Sequence, residues 1–192
     1  MKGNKNKIDS TYYLITPSAF GTFGIIWREF RENPKVYRII LSNKQASALK
    51  LVQNSFPTAS QLSNPIILNF AKLIQGFLSG QAVEFDLKLL ALETCSEFQR
   101  RVLLAEYGIP RGWVSTYGRI GKQIGVNQGA RAVGSALAGN PFPIAIHCHR
   151  AIRSDYKLGG YQGGVEMKGI LLKNEGFKIS KSGKVITHRF YY

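Results

Sequence analysis

Residues 115–139 read STYGRIGKQIGVNQGARAVGSALAG, and this stretch decides the fold of the second half of the chain. Its spacing predicts a short helix with Ile120 and Ile124 facing inward, and then a tight turn. A second short helix follows, which we expect to be capped by Asn127 and to end at Gly139. Two short helices joined by a tight turn are typical of a helix-turn-helix unit that binds DNA.

The flanking segments extend this pattern in both directions. Upstream, residues 96–109 read SEFQRRVLLAEYGI and predict a helix capped by Ser96. Its buried side is expected to carry Phe98, Val102 and Ala105. Downstream, the apolar residues 143–146 predict a strand that leads into Cys148, and the last residues predict a hairpin that turns at 181–184.

The first half of the chain has a different texture. Residues 11–42 alternate apolar with polar positions and are rich in aromatic and β-branched types, which predicts a three-stranded antiparallel meander. Helices are expected at about 44–52 and 65–77, and a further strand near 85–89. The predicted fold class is therefore α+β, divided into an N-terminal α+β domain of residues 1–92 and a C-terminal DNA-binding and reactive domain of residues 93–192.

The net charge is +15 with a pI near 10, which predicts attraction to a polyanion. Nucleic acid is the leading candidate, beside an anionic membrane surface or plain solubility. Between Tyr107 and Ser154 there is no acidic residue, and the cations there form a plausible phosphate-facing surface: Arg111, Arg119, Lys122, Arg131, Arg150 and Arg153. Neither a signal-peptide core nor an apolar run of about 20 residues is present, so we expect a cytoplasmic protein (nuclear in a eukaryote) without a membrane partner.

The chemistry-bearing candidate is Cys148, which lies between His147 and His149. A thiol attacks as its thiolate, and a neighbouring imidazole can accept its proton. From these residues alone, a structural cysteine and a reactive one remain equally open. A His/Cys metal cluster is a third interpretation, although side chains alternate along a strand and one ion would not reach all three.

Residues 98–176 resemble the C-terminal domain of the O6-alkylguanine-DNA alkyltransferases. The matching pieces, in the family's order and spacing, are FQRRV from Phe98, IPRG from Ile109, STYGRI from Ser115, GARAVGSAL from Gly129, GNPFPIAIHCHR from Gly139, RSDYKLGGYQGG from Arg153 and LLKNEG from Leu171. The resemblance implies a ribonuclease-H-like N-terminal domain and a C-terminal domain with a winged-helix-like helix-turn-helix.

The resemblance also implies the reaction. His149, a bridging water and Glu175 would form the relay that ionises Cys148, and the thiolate would take the alkyl group from guanine O6, with O4-alkylthymine as a secondary candidate substrate. Tyr117 would donate to the leaving guanine, and Asn140 would brace the reactive loop. The thioether is stable, so each molecule would act once, with no cofactor and no metal.

The same resemblance implies a monomer that binds double-stranded DNA through the minor groove, independently of sequence, and flips the damaged base out. On the second short helix, Ala130, Val133 and Leu137 are expected to face inward. The residues expected to bind DNA are Arg131, Gln128, Ala130, Gly134, Ser135, Arg119 and Lys122, with Arg131 filling the gap left by the base. Those expected to form the guanine pocket are Ala151, Gly160, Tyr161 and Gln162.

Three departures from the family pattern stand out. The family usually has proline where this chain has His147, and an indole where it has Leu103. The zinc cluster of some relatives cannot form, because residues 1–92 contain neither cysteine nor histidine. Three rival functions remain: a non-catalytic relative that binds alkylated DNA, a helix-turn-helix regulator, and a His/Cys metal enzyme.

Overall fold

The computed structural model describes residues 10–30 and 33–192, so the basic N-terminus and the segment at 31–32 lie outside the described residues. The predicted meander is confirmed. Strands β1 (Thr11–Ser18), β2 (Gly21–Phe30) and β3 (Asn33–Leu41) pair antiparallel, and a short β4 (Ser60–Gln61) adds to β1 in parallel. The sheet order is β3-β2-β1-β4.

Two helices cover this sheet. Helix α1 (Ala48–Ser55) begins later than expected, because the Ser47 side chain accepts the Lys50 N–H and so caps the helix there. Helix α2 (Pro65–Leu78) begins where predicted, with the Asn64 side chain as its cap and Pro65 in its first turn. Its buried residues belong to the same apolar core as the buried side chains of the sheet: Ile67, Phe70, Ile74 and Phe77.

The strand expected near 85–89 is wrong. The Asp86 side chain accepts the Lys88 N–H at 2.8 Å and starts a single 3-10 turn at Leu87–Leu89. The Lys88 N–H therefore bonds to a nearby side chain and not to a neighbouring strand. Phe85 is buried against Phe70 and Phe77 and does not stand on a sheet edge. The solvent-exposed Asp86 is therefore a cap and not a residue on a strand face.

The second half is helical, as predicted. It contains α3 (Glu97–Tyr107), β5 (Ser115–Thr116), α4 (Tyr117–Gln123), α5 (Ala130–Ala138), β6 (Ala151–Ile152), α6 (Val165–Asn174), β7 (Lys178–Ile179) and β8 (Val185–Ile186). Strands β7 and β8 form the expected terminal hairpin. One apolar core runs from the sheet through α2 into α3, α5 and the reactive segment, which places that segment against both halves of the chain.

Two details of the helix pair differ from expectation. Asn127 does not cap α5, because the helix begins after Gly129, and no side chain caps it. Ala130 is exposed although Val133 and Leu137 are buried, since it lies in the first turn, where the helix leaves the core. On α4, Ile120 is fully buried, whereas Ile124 is only partly so. No helix in the described residues is long and apolar enough to span a membrane.

Candidate active site

The segment that presents Cys148 is not the predicted strand. Residues 143–146 form tight turns, in which Ile144 has a φ of +74° and Ile146 N–H donates to Phe142 O at 2.8 Å. Pro141 and Pro143 cannot donate to a sheet ladder, and the segment is enclosed by core residues, not paired with a neighbouring strand. Cys148 then opens a 3-10 turn, Cys148–Arg150.

The turn places Cys148 at a cavity of about 550 Å³. This cavity lies between α4, α5 and a glycine-rich loop, residues 158–164. Cys148 is only 6% exposed, so the cavity is its route to solvent. The cavity is lined by Tyr117, Ala130, Gly134, Leu137, Ala138, Cys148, Arg153, Gly159, Gly160, Tyr161 and Gln162. Seven of these are site residues expected from the sequence: Tyr117, Ala130, Gly134, Cys148, Gly160, Tyr161 and Gln162.

Next to Cys148 in the chain, His149 is paired with an acid. Its Nε2 lies 2.8 Å from Glu175 Oε1, and both side chains are buried. Arg150 holds the same carboxylate in a fork, with Nε donating at 3.0–3.1 Å and Nη2 at 2.9 Å, while its Nη1 donates to Ile109 O at 2.6 Å. Gly112 N–H also reaches Glu175. The carboxylate is therefore fixed by several donors, as an orienting group must be.

These contacts determine the charge of each member. Burial alone would raise the pKa of Glu175, but the hydrogen bonds and charges of His149 and Arg150 outweigh it and lower that pKa to about 2. Burial lowers the pKa of His149, and its hydrogen bond to Glu175 restores only part of the loss. A neutral His149 donates Nε2–H to Glu175, so its Nδ1 is the free acceptor. This Nδ1 is buried and makes no hydrogen bond with any described residue.

The resting sulfur is a thiol. Burial raises the pKa of Cys148 to about 12, the negative charge of Glu106 adds to the rise, and a weak hydrogen bond from Asn140 with the charge of Lys168 offsets only part of it. A neighbouring neutral imidazole supplies no positive charge that would stabilise a thiolate before the reaction. Deprotonation has to accompany the attack.

The Asn140 backbone and side chain brace the reactive loop. Asn140 is fully buried, and its Oδ1 accepts the Phe142 N–H at 2.8 Å. The Gln162 side chain donates to Asn140 O at 2.6 Å and to Ala138 O at 3.2 Å, which ties the glycine-rich loop to the end of α5. Gln162 also lines the cavity.

Sequence reasoning missed Lys168. This residue reads as a surface lysine of α6, yet it is fully buried, and its Nζ donates to Ala151 O at 2.6 Å and Gly160 O at 3.4 Å. It therefore holds two backbone carbonyls of the expected guanine pocket. Burial lowers its pKa to about 8. In the sequence, Lys168 differs from an exposed lysine only by its uncharged neighbours Met167 and Gly169. Such neighbours are too common to predict that a lysine is buried.

A second missed residue, Glu106, lies fully buried in α3, and neither carboxylate oxygen makes a hydrogen bond with any described residue. Burial raises its pKa to about 8, although the charges of Lys168 and Arg150 oppose the rise. The pKa of Tyr117 is raised to about 12, mainly by burial and to a smaller extent by the charge of Glu106. The Tyr117 hydroxyl thus stays protonated at neutral pH.

The cations expected to face phosphate separate into two groups. Arg111 and Arg150 are structural, because Arg111 donates to the carbonyls of Gly80, Gln81 and Asn174 and Arg150 is buried on Glu175. That part of the prediction is wrong. The exposed cations are Arg119, Lys122, Arg131 and Arg153, of which Arg119 also donates to Tyr192 O at 2.6 Å and Arg153 pairs with Asp155. Gln128 and Ser135 are exposed near α5.

Within residues 10–30 and 33–192, no group of three or more His, Cys, Asp or Glu side chains is arranged to hold a metal ion. The His147 and His149 rings lie 6.0 Å apart and nearly perpendicular. Cys148 lines the cavity described above, whereas neither histidine does.

Known proteins resemble this chain over most of its length. A family model described as the DNA-binding domain of 6-O-methylguanine DNA methyltransferase matches residues 97–177. A methylated-DNA–protein-cysteine methyltransferase of Methanothermobacter thermautotrophicus is 39% identical over 142 residues, which are 73% of this chain and 80% of that protein. The chain belongs to the methylated-DNA–protein-cysteine methyltransferase family.

Solved structures of this methyltransferase family share the fold. Mycobacterium tuberculosis OGT in complex with DNA superposes with a TM-score of 0.68 at 29% identity, covering 85% of this chain and 92% of that one. The O6-methylguanine-DNA methyltransferase of Pyrococcus kodakaraensis, at 24% identity and a TM-score of 0.62, shows the fold alone. The mixed α+β architecture with an N-terminal sheet and helices is therefore that of the family, as predicted.

Proposed function

We propose that this protein repairs alkylated DNA by moving the alkyl group from guanine O6 to its own Cys148. The observation that carries this assignment is that Cys148 lines the cavity, while the next residue, His149, is buried and paired with Glu175. Only one other cysteine is present. Cys95 does not line this cavity, and burial raises its pKa without any imidazole beside it.

The reaction is an in-line displacement. The thiol proton of Cys148 passes through one water to Nδ1 of His149, and Glu175 stabilises the imidazolium that forms. The sulfur attacks the alkyl carbon as the bond from that carbon to guanine O6 breaks. The electron pair stays on the guanine, and the Tyr117 hydroxyl donates the proton that neutralises it. The thioether has no second nucleophile to release it, so each molecule reacts once.

The cavity is suited to a flat base. The backbone N–H of Gln162 would donate to guanine O6, and the carbonyl of Ala151 would accept from the exocyclic amine. Tyr161 forms a wall, and Gly160 lets the backbone come close. The Ala151 carbonyl already accepts from Lys168 but keeps a second lone pair, so Lys168 would orient it toward the base.

The DNA partner lies across α5. A duplex hides O6 within the base stack, so the damaged nucleotide is flipped into the cavity. Ala130, Gly134 and Ser135 give α5 a small-residue face for the minor groove, which would be read without regard to sequence because they offer no array of base-reading groups. Arg131 would fill the vacated stack. Gln128, Arg119 and Lys122 would contact the backbone.

The same proposal includes the finer architecture. The N-terminal sheet with α1 and α2 would be a ribonuclease-H-like domain of residues 1–92, and α3 to α5 would form the winged-helix-like unit of a second domain, residues 93–192. The protein would act as a monomer, in the cytoplasm or nucleus. The two short helices α4 and α5, joined by residues 124–129, support the winged-helix-like part of this proposal.

The function is tested by the mass of the protein. After mixing with a duplex that contains one O6-methylguanine, the peptide carrying Cys148 should gain the mass of one CH2 group, because a methyl group replaces the thiol hydrogen. An unmodified duplex is the control. An unchanged mass with DNA still bound would mean that the protein only binds alkylated DNA.

Arg131→Ala tests base flipping. We expect transfer from duplex DNA to slow about tenfold, because unstacking a base costs a few kcal/mol that an inserted side chain helps to offset. Transfer from the free O6-methylguanine base should not change, since no flipping is needed. Single-turnover rates on both substrates measure the difference.

The matched control is Lys50→Ala, which removes the same charge from the exposed surface of α1. It should leave both rates near the wild-type values. If Arg131→Ala slowed transfer from the duplex and from the free base equally, Arg131 would have no role in flipping.

A further inference from the structure

His147 lies between two aromatic rings. Its imidazole stacks on Phe77 of α2, with centroids 5.5 Å apart and planes at 23°, and on Tyr107 of α3, at 5.6 Å and 13°. The residue is 6% exposed. The three rings form a stack in which one outer ring comes from each half of the chain.

The ring nitrogens do not explain this placement. Within the part of the chain that the structure describes, neither nitrogen makes a hydrogen bond, although the nearby Tyr107 carbonyl weakly favours the charged form of the ring. Burial and the charge of Arg150 hold the pKa of His147 well below its ordinary value. The ring also faces a second cavity, of about 430 Å³, behind the reactive turn and not the one that Cys148 lines. His147 is therefore a neutral ring used for packing.

The backbone beside it is held by local hydrogen bonds, and the buried side chains of His149 and Arg150 fix the end of the turn to Glu175. The reactive turn, residues 142–150, is not part of a sheet ladder. Three backbone hydrogen bonds of 2.8 Å hold it: Ile146 N–H to Phe142 O, Cys148 N–H to Ile146 O, and Arg150 N–H to His147 O. All three are local. The aromatic stack of His147 anchors the turn to two helices that are distant in sequence.

We propose that His147 is a positioning residue, whose imidazole, clamped between Phe77 and Tyr107, fixes the backbone that presents the Cys148 sulfur to the cavity. The proposal rests on the proposed function for its first readout only. It assigns the effect to the shape of the ring and not to its nitrogens. A phenyl ring should therefore replace it, and the cavity behind the turn leaves room for the extra atoms.

The test compares His147→Ala with His147→Phe, far below their melting temperatures. At saturating methylated duplex, His147→Ala should slow the single-turnover transfer by about tenfold or more, because a shift of about 1 Å at a reacting atom can cost ~100-fold. DNA affinity should be unchanged. His147→Phe should stay close to the wild-type rate.

A second readout does not depend on alkyl transfer from DNA. Iodoacetamide labels free thiols, and mass spectrometry of the peptide gives the rate for Cys148 alone. His147→Ala should raise this rate several-fold, because a loosened turn exposes the sulfur, while transfer from DNA falls. If the wild type transfers no methyl group, the proposed function fails, but this labelling still tests the positioning role.

The matched control is Phe85→Leu, which alters the same aromatic cluster without touching the stack faces, since Phe85 lies 6.3 Å from His147 and tilted. It should lower the melting temperature without changing either rate. The proposal is overturned if His147→Ala matches the wild type in labelling, if His147→Phe is as impaired as His147→Ala, or if Phe85→Leu has the same effect. Should His147→Ala not fold, Tyr107→Leu removes one face of the stack and takes its place.

Discussion

Replacing Cys148 by alanine is expected to abolish alkyl transfer while leaving DNA binding intact. Removing an enzyme's nucleophile costs on the order of 10⁴-fold or more in rate, and no other thiol lines the cavity. The substitution changes no charge at neutral pH, because the resting Cys148 is a neutral thiol, so the attraction to phosphate is unaltered. Binding of methylated duplex measured by anisotropy, together with the mass of the protein, checks both parts.

Cys95→Ala is the matched control for the loss of a thiol. Cys95 is partly buried at the start of the second half, away from the cavity, so transfer should proceed at the wild-type rate. Transfer that survives in Cys148→Ala and disappears in Cys95→Ala would move the nucleophile to Cys95. Loss of DNA binding in Cys148→Ala would mean that the sulfur has a structural role as well.

Replacing Glu175 by glutamine is expected to slow transfer by about 10²–10³-fold, because the imidazolium that forms on His149 loses its negative partner. It should also destabilise the fold by about 3–5 kcal/mol, because Arg150 is left as an uncompensated buried charge. Single-turnover rates and urea denaturation measure the two effects.

Glu166→Gln is the control in the same helix region. Glu166 is an exposed residue of α6 that pairs with Lys44 at the surface, so its removal should change neither rate nor unfolding midpoint. A Glu175→Gln protein with wild-type transfer would exclude the relay. A slow but fully stable one would mean that Arg150 finds another partner.

Acid unfolding gives a second measure of Glu175. Its folded pKa of about 2 lies below the ordinary value of 4.5, so its ionisation stabilises the fold. That stability is fully present above about pH 4.5 and is lost as the pH falls toward 2, to a total of about 3 kcal/mol. Glu175→Gln should remove this part of the acid-unfolding curve, whereas Glu166→Gln should not.

Local patterns predicted much of the fold because local physics decides it. The alternation in β1 to β3, the Ser96 cap and the end of α5 at Gly139 each depend on neighbours within a few residues. The wrong strand near Phe85 shows where this fails. Its apolar pattern is typical of a strand. However, the Asp86 side chain accepts the Lys88 N–H and caps a turn, and Phe85 packs on Phe70 in the core.

The candidate site depended more on distant partners. Cys148 and His149 are adjacent in the chain, so both could be named as candidates directly, and the resemblance supplied Glu175. Nothing local indicated that Arg150 would turn inward to Glu175 and Ile109, or that Lys168 would be buried beneath Ala151. A cation looks the same in sequence whether it faces solvent or a buried carboxylate.

The amino-acid sequence by itself determined the α+β class, the helix pair, the adjacency of Cys148 and His149, and the family. Side-chain types and short spacings carry that information, and the chain retains them in any conformation. Only the tertiary structure decided the charge state of the site. Burial, which is a property of the packed molecule, keeps the Cys148 thiol protonated, and the convergence of His149 and Arg150 on Glu175 keeps that carboxylate ionised. The stack of Phe77, His147 and Tyr107 likewise exists only because residues from both halves of the chain meet at the reactive turn.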